Sequence, residues 1–357
     1  MEIKVKEIEP EQMKPKPEDE SRLGFGDITT DHMFMMDYEA GKGWLDPRIA
    51  PYANLSLDPA AMAIHYGQEI FEGLKAYAGK DGGVHLFRAR KNFERLNQSA
   101  KRLCMPEVEI DLAMEGMKKL ILLDRQWIPG SEGTSLYIRP TMIATEPHLG
   151  VRPSNNYLFF IILGPVGAYY KEGLNPVKIY VEDFHVRAPK GGTGEAKAAG
   201  NYAASLFAAE KAKEKGFTQV LWLDAAEHRY IEEVGTMNMF FVIGDEVITA
   251  PLSGSILPGV TRDSVMQIVS DWGFKVSERF LSIDEVVEAS EKGTLKEAFG
   301  TGTAAVISPV GQITYKGNDY MVAGGNRGEL SQRLYDEIVG IQYGYKDDSR
   351  GWMERID

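Results

Sequence analysis

The chain has 357 residues, 43% of them hydrophobic and 26% charged, and its 52 acidic side chains against 40 basic ones leave a net charge of −12. That length makes two domains the first expectation, and the negative balance argues against nucleic acid or an anionic membrane as the main partner. A single cysteine, Cys104, rules out a disulfide within the monomer and fits a reducing compartment.

Charge and proline dominate residues 1–24, which read as a solvated arm without the apolar centre of a signal peptide. No apolar run approaches the ~20 residues of a membrane span, so a cytoplasmic protein is expected. A first small α/β domain is expected over 25–166. HMFMMDY and AAMAIHY read as short strands, their methionines as core packing rather than a soft-metal site. LKAYAGKDGGVHLF reads as a strand pair turning at Asp81-Gly82-Gly83. Phe93, Leu96, Ala100 and Leu103 recur at helical spacing in NFERLNQSAKRL, and DLAMEGMKKLILLDRQW predicts another helix. NYLFFIILGPV is short, apolar and rich in strand formers, which suits a buried strand.

Gly, Pro and Tyr then mark an interdomain linker over 167–177. The second, larger α/β domain, 178–357, opens with strand KIYVEDFHV, followed by helix NYAASLFAAEKAKEKG closed by Gly216 and by strand TQVLWLD. EEVGTMNMFFVIGDEVITA predicts a hairpin with a turn at Gly244-Asp245. TRDSVMQIVSDWG predicts a helix with Thr261 as its N-cap, and GELSQRLYDEIVGIQYG the last helix.

The stretch GGTGEAKAAGNYAASL, residues 191–206, sets Lys197 among glycines and alanines directly before a helix. The P-loop pattern fails there, because Lys197 follows alanine and no Ser or Thr comes next. Taken alone, Gly191–Gly194 is a flexible connection and Lys197 a surface charge. An uncrowded lysine is also what Schiff-base chemistry needs, since desolvation leaves its amine a neutral nucleophile. A carbonyl cofactor such as pyridoxal 5'-phosphate (PLP) then demands a phosphate site, an acid for the pyridine nitrogen and a group near the phenolate oxygen. LPGVTR offers backbone N–H groups and a hydroxyl, from Val260 and Thr261, at a helix N-terminus. FGTGTAA adds Thr303, and Arg95 in FERL supplies a fixed positive charge. Glu233 in IEEVGTMN, with Gly235 and Thr236 beyond it, is the acid that keeps a pyridine nitrogen protonated.

HYGQEIFEGLKAY, GTSLYIRP, LGPVGAYY, AKAAGNYAASLF, QVLWLD, EEVGTMNMFFV, LPGVTRDSV, VSER, FGTGTAAVISPV and IQYG occur in this order. With them the chain resembles the branched-chain amino-acid aminotransferases of the D-amino-acid-aminotransferase-like PLP fold (fold type IV), in spelling closest to the longer, animal-type branch. The resemblance implies a two-domain α+β fold with the active site between the domains, and a homodimer. It implies Lys197 as the catalytic, Schiff-base lysine, Tyr202 at the phenolate oxygen and Glu233 at the pyridine nitrogen. Arg95, Val260, Thr261 and Thr303 would hold the phosphate. Tyr66, Thr236, Ala304 and Ala305 would receive the substrate α-carboxylate, and Phe71, Tyr137, Tyr169 and Tyr202 would wall the side-chain pocket. Arg139 would meet the γ-carboxylate of glutamate, and the Leu149-Gly150-Val151 loop would reach the neighbouring subunit's site. The activity implied is ping-pong transfer of the amino group of L-Leu, L-Ile or L-Val to 2-oxoglutarate.

Without the resemblance, Tyr66, Phe71 and Tyr137 read as packing and Arg139 as a structural ion pair. His65 and His148 lack metal-ligand spacing, so no metal is assigned. Two departures stand out. Ala305 and Ser308 occupy the positions of an animal-type CxxC, and Thr29 stands where members often place an aromatic. Two alternatives remain open: another fold type IV PLP enzyme (a D-amino-acid or amine transaminase, or aminodeoxychorismate lyase), or a ligand-binding protein without turnover.

Overall fold

Strands with alternating apolar side chains build the first sheet: β1 (Lys4–Val5), β2 (His32–Glu39), β3 (Gly43–Pro51), β4 (Glu69–Phe71), β5 (Leu74–Ala78), β6 (Val84–Phe87), β7 (Ser135–Ala144) and β8 (Asn156–Val166). Helices α1 (Met62–Tyr66), α2 (Ala89–Arg102) and α3 (Ile110–Leu123) interrupt the run. The computed structural model describes residues 1–167 and 173–357. These strands belong to a unit made of Met1–Tyr169, Ala196–Gly200 and Ile341–Asp357. Its sheet runs β1-β3-β2-β8-β7-β5-β6 and then the C-terminal strand Met353–Arg355, with β4 paired to β7.

Period-two alternation divides this sheet into two unlike faces. Leu136, Ile138 and Met142 of β7 join Phe34, Met36, Phe159 and Ile161 in a core shared with Phe93 and Leu96 of α2 and Met117 and Leu120 of α3. Tyr137, Arg139 and Thr141 point the other way. The chain segment carrying Lys197 packs with this unit, not with the 178–357 segment in which its sequence position had placed it. The reason is local pairing: the Phe71 N–H donates to the Lys197 carbonyl at 3.1 Å, and Ala198 bridges Ile70.

Two sequence expectations change here. AAMAIHY is a helix rather than a strand, since α1 covers Met62–Tyr66 and ends on Gly67 in the left-handed region, and short apolar runs do not distinguish the two states. The arm is docked rather than solvated. Ile3 is buried, and the N–H groups of Lys6, Ile8 and Lys14 donate to Ile49 O, His32 Nε2 and Asp31 Oδ1. His32 Nδ1 is held in turn by buried Asp124, 2.6 Å away.

The second unit comprises Tyr170–Glu195 and Asn201–Gly340. Its strands are β9 (Val177–Glu182), β10 (Gln219–Leu223), β11 (Ile231–Val234), β12 (Met237–Ile243), β13 (Glu246–Thr249), β14 (Lys275–Glu278), β15 (Leu295–Gly302), β16 (Val306–Tyr315) and β17 (Asn318–Met321). Pairings along β11-β10-β9-β16-β15-β12, closed by β11 with β12, make a ring of six strands. Within the ring each strand is paired on both sides, while β13–β14 and β17 extend from it, and Val181, Leu221, Met239, Phe241 and Ile313 of its strands share one core cluster. Helices α4 (Ala199–Glu214), α5 (Val260–Asp271), α6 (Ile283–Glu291) and α7 (Glu329–Gln342) complete the chain. The N-cap of α5 is Gly259, so Thr261 lies within its first turn instead of capping it.

Among the described residues no helix is long and apolar enough to cross a membrane, and no group of three His, Cys, Asp or Glu is placed to hold a metal ion.

Candidate active site

On the solvent-side face of the first sheet, Phe71, Tyr137 and Arg139 stand half-buried. Phe71 pairs with Thr141 across β4 and β7, which puts its ring beside Arg139, two residues along. The Arg139 Cζ lies 4.7 Å from the Phe71 ring centre and 5.2 Å from that of Tyr137, within the range of cation–π attraction. Its Nη2 donates to the Tyr137 hydroxyl at 3.0 Å, while Nε is buried without a hydrogen-bond partner among the described residues. Lys197 Nζ lies 4.9 Å from the Phe71 ring centre, and its backbone N–H donates to Ser99 Oγ at 2.9 Å. The result is an aromatic surface carrying one amine and one guanidinium. Glu69, on the same face of β4 as Phe71, is raised above the ordinary glutamate value by burial, with Arg139 drawing it back. Gly73 makes room for the phenol beside them: a Cβ there would sit 2.1 Å from the Tyr137 hydroxyl, which would have to shift.

Several side chains here were not anticipated. Glu72 is fully buried and accepts from Arg95 Nε at 2.8 Å, Arg95 Nη2 at 2.9 Å and Asn92 at 2.9 Å. Burial pushes its carboxyl up, but the charges of Arg95 and Lys197 and the hydrogen bonds outweigh that and hold it below the ordinary value. Arg95, expected at a phosphate, therefore commits two of its nitrogens to a carboxylate. Lys75, directly opposite Tyr137, is buried, and desolvation lowers its amine to about 8. Tyr66, expected at the α-carboxylate, gives its hydroxyl proton to the Leu149 carbonyl. Tyr169 lies outside the described residues.

The second unit gathers another set. Glu233 is buried in β11; its Oε2 meets Arg187 Nε at 2.7 Å, and its Oε1 accepts the Leu257 N–H at 2.8 Å. Asn238, paired with Glu233 across β11 and β12, donates to Leu257 O at 2.9 Å. A buried ion pair of this kind persists only when its remaining lone pairs and protons are satisfied, and Arg187 also donates to the carbonyls of Gly194 and Ser255. Glu232 accepts from Ser255, and its other oxygen is buried without a partner among the described residues. Burial pushes this carboxyl up to about 7 against the Ser255 hydrogen bond, with the Glu233 charge adding to the rise. Tyr202, Gly235 and Thr236 line a cleft together with Arg187, Asn201 and Ser205.

Strand register brings the remaining candidates to one end of this sheet. Asn238 faces Thr301, so the Gly235–Thr236 turn and the 303–305 turn between β15 and β16 lie side by side. Val306, which closes the second turn opposite Gly302, has φ +62°, an unusual backbone state for a β-branched residue. The start of α5 is linked to Glu233 through Leu257, and its N-cap is Gly259, so the positive end of the helix dipole lies at this end of the sheet.

These groups fit PLP. A buried carboxylate paired with Arg187 suits a protonated pyridine nitrogen; a helix N-terminus with Thr261 suits a phosphate; Tyr202 supplies a phenol in the cleft. Arg187, Asn238, Glu72 and Glu232 escaped the sequence reading. Only adjacency gave a signal for the glutamates, each beside a residue that was singled out.

Comparison with known proteins places this arrangement. The sequence model of amino-transferase class IV matches residues 69–313, and the chain belongs to that family. Its cofactor is PLP, and a solved member, the T.th. branched-chain amino acid aminotransferase with pyridoxamine 5'-phosphate, superimposes with a TM-score of 0.74 at 26% identity over 90% of this chain and 98% of that one. The branched-chain amino acid aminotransferase of Escherichia coli gives a TM-score of 0.73 at 27% identity, covering 92% and 99%. In sequence, the chain is 58% identical to branched-chain-amino-acid aminotransferase 2 of Bacillus subtilis (strain 168), over 96% of this chain and 94% of that protein. It is 48% identical to the branched-chain-amino-acid aminotransferase of Mycolicibacterium smegmatis, over 94% and 92%.

Proposed function

We propose that the chain is a branched-chain amino-acid aminotransferase, moving the amino group of L-leucine, L-isoleucine or L-valine to 2-oxoglutarate in a ping-pong cycle. The observation that carries the substrate reading is Arg139 set between Phe71 and Tyr137. An aromatic wall accepts a branched aliphatic side chain, while the guanidinium accepts the γ-carboxylate of glutamate on the return half of the cycle. One pocket thereby serves both partners.

Lys197 is the catalytic residue in this reading. When bound, PLP supplies the carbonyl that takes up the amino group and the ring that disperses the electron pair left by the departing α-proton. Lys197 Nζ would accept that proton from the substrate α-carbon and hold it for return. Its flanking backbone, tied to Phe71 and Ser99, fixes the amine's approach. Glu233, paired with Arg187 and the Leu257 N–H, would keep a proton on the cofactor's ring nitrogen. Tyr202 would donate to its phenolate oxygen. The α5 N-terminus with Val260 and Thr261, Thr303 and Arg95 would hold its phosphate. The α-carboxylate is received by Thr236, by the backbone at Ala304 and Ala305, and by Tyr66, whose hydroxyl must first leave Leu149.

The same reading includes a cytoplasmic setting and a homodimer whose Leu149-Gly150-Val151 loop reaches the neighbouring site. Leu149 and Val151 are 65% and 84% exposed, which leaves their side chains accessible to a neighbouring subunit.

The test is a visible spectrum of the PLP-loaded protein before and after L-leucine, without 2-oxoglutarate. Conversion of the cofactor band to the pyridoxamine form supports the half-reaction; an unchanged spectrum with L-leucine refutes it. A donor panel of D-amino acids and simple amines separates the related activities of the fold.

A further inference from the structure

We propose that Lys14, in the N-terminal arm, is a positioning residue for the substrate side-chain pocket: it clamps residues 25–30 so that the Phe25 ring fixes Tyr137 and, through its hydroxyl, Arg139. The inference rests on the substrate reading above.

The clamp is built from several directions. Lys14 Nζ donates to the Thr29 hydroxyl at 2.8 Å, the Thr29 carbonyl at 3.3 Å and the Thr30 carbonyl at 2.7 Å, which uses all three of its protons. The ammonium also lies 4.0 Å from the centre of the Tyr52 ring, and its own N–H is fixed by Asp31. Thr29 is the position where an aromatic wall was expected, and its hydroxyl instead receives the arm.

The clamped segment leads to the pocket. Its ends are tied to β8 and the residue after it, by the Thr30 N–H on Leu163 O at 2.9 Å and the Gly167 N–H on Gly24 O at 3.1 Å. Gly164 of β8 permits the approach, since a Cβ there would lie 2.2 Å from Ile28 O. Gly24 and Gly26 flank Phe25, with Gly26 at φ +89°, so the segment's own backbone is permissive and its position depends on external ties. The Phe25 ring meets Tyr137 edge-on, at 4.8 Å and 64°. Tyr137 accepts from Arg139, and Arg139 overlies Phe71, above which Lys197 Nζ sits. The step from Thr29 to Phe25 runs along the backbone and the others are contacts, and coupling along such a chain is measured as non-additivity.

The experiment is a double-mutant cycle with Lys14→Met and Phe25→Leu in the PLP-loaded enzyme. It reads kcat and KM for L-leucine, the Kd of the unreactive leucine-shaped acid 4-methylvaleric acid, and the melting temperature. Each single variant should raise KM and Kd about three- to tenfold, the scale of one lost hydrogen-bonded tie, with kcat within about twofold. The double variant should be no worse than the weaker single. Lys14→Arg, which restores donors and charge, should recover most of the affinity. Additive effects, or a lowered melting temperature with unchanged Kd, overturn the proposal. If Lys14→Met does not fold, the same cycle is read with Thr29→Val, which removes the hydroxyl that takes the Lys14 ammonium, and Phe25→Leu, where additivity overturns it equally. A wild-type protein that turns over no L-leucine sinks the substrate reading and this proposal together; an active wild type with an additive cycle sinks the proposal alone.

Discussion

In the second unit Glu233 is buried and each of its oxygens meets a donor, from Arg187 on one side and the Leu257 backbone on the other. In the first, Phe71, Tyr137 and Arg139 stand half-exposed, their side chains meeting through ring contacts and the hydrogen bond from Arg139 to the Tyr137 hydroxyl. The first pattern is rigid, because any shift of Glu233 leaves a buried charge unpaired. The second is adaptable, because ring contacts are individually weak and tolerate a change of neighbour. This division matches what a transaminase has to do: hold one cofactor in one electronic state while admitting substrates as unlike as leucine and glutamate.

Four substitutions break or sharpen that contrast. Lys197→Ala should abolish glutamate formation from L-leucine, by at least about 10³-fold; retention of activity within tenfold would remove the lysine from the chemistry. Glu233→Gln should do double damage, lowering kcat by about 10²-fold through the lost charge and lowering unfolding free energy by about 3 kcal/mol through the orphaned Arg187. Kinetics and chemical denaturation check the two halves separately. Arg139→Met, on the adaptable side, should raise KM for 2-oxoglutarate by about 30-fold and leave KM for L-leucine within a few-fold. Equal losses for both substrates would mean that the guanidinium is structural.

The smallest effect is a matter of pH. Glu232 is raised by burial to about 7 from an ordinary value near 4.5, so between those values only the folded protein binds the proton. Unfolding free energy should therefore fall as pH rises from 4.5 to 7, by about 1.4 kcal/mol for each unit separating the two values. Glu232→Gln should flatten that slope, with the variant gaining on the wild type above pH 7. Parallel melting curves for the two proteins would show that the buried proton is absent.

Periodicity made most long elements legible. The spacing of Phe93, Leu96 and Ala100 matches α2, and the apolar run NYLFFIILGPV matches β8. The helix α1 was misread because so short a segment, MAIHY, carries no reliable period. The docked arm was invisible for another reason: its ties run from backbone N–H groups to His32 and Asp31, and no composition signal announces a distant acceptor. In the candidate site, residues with a chemical role stood out by type and motif, whereas their supports did not. Arg187, in HVRAPKGG, is an ordinary loop arginine until the fold brings Glu233 to it. Lys75 likewise looks like any lysine in a half-polar strand, and only burial distinguishes it.

Gly73 sets a condition on how this pocket changes over generations. The four glycine codons lead, by any single-base missense change, only to residues that possess a Cβ, and here that atom falls 2.1 Å from the Tyr137 hydroxyl. Every first mutational step at position 73 thus pushes the phenol from the guanidinium before it offers anything new.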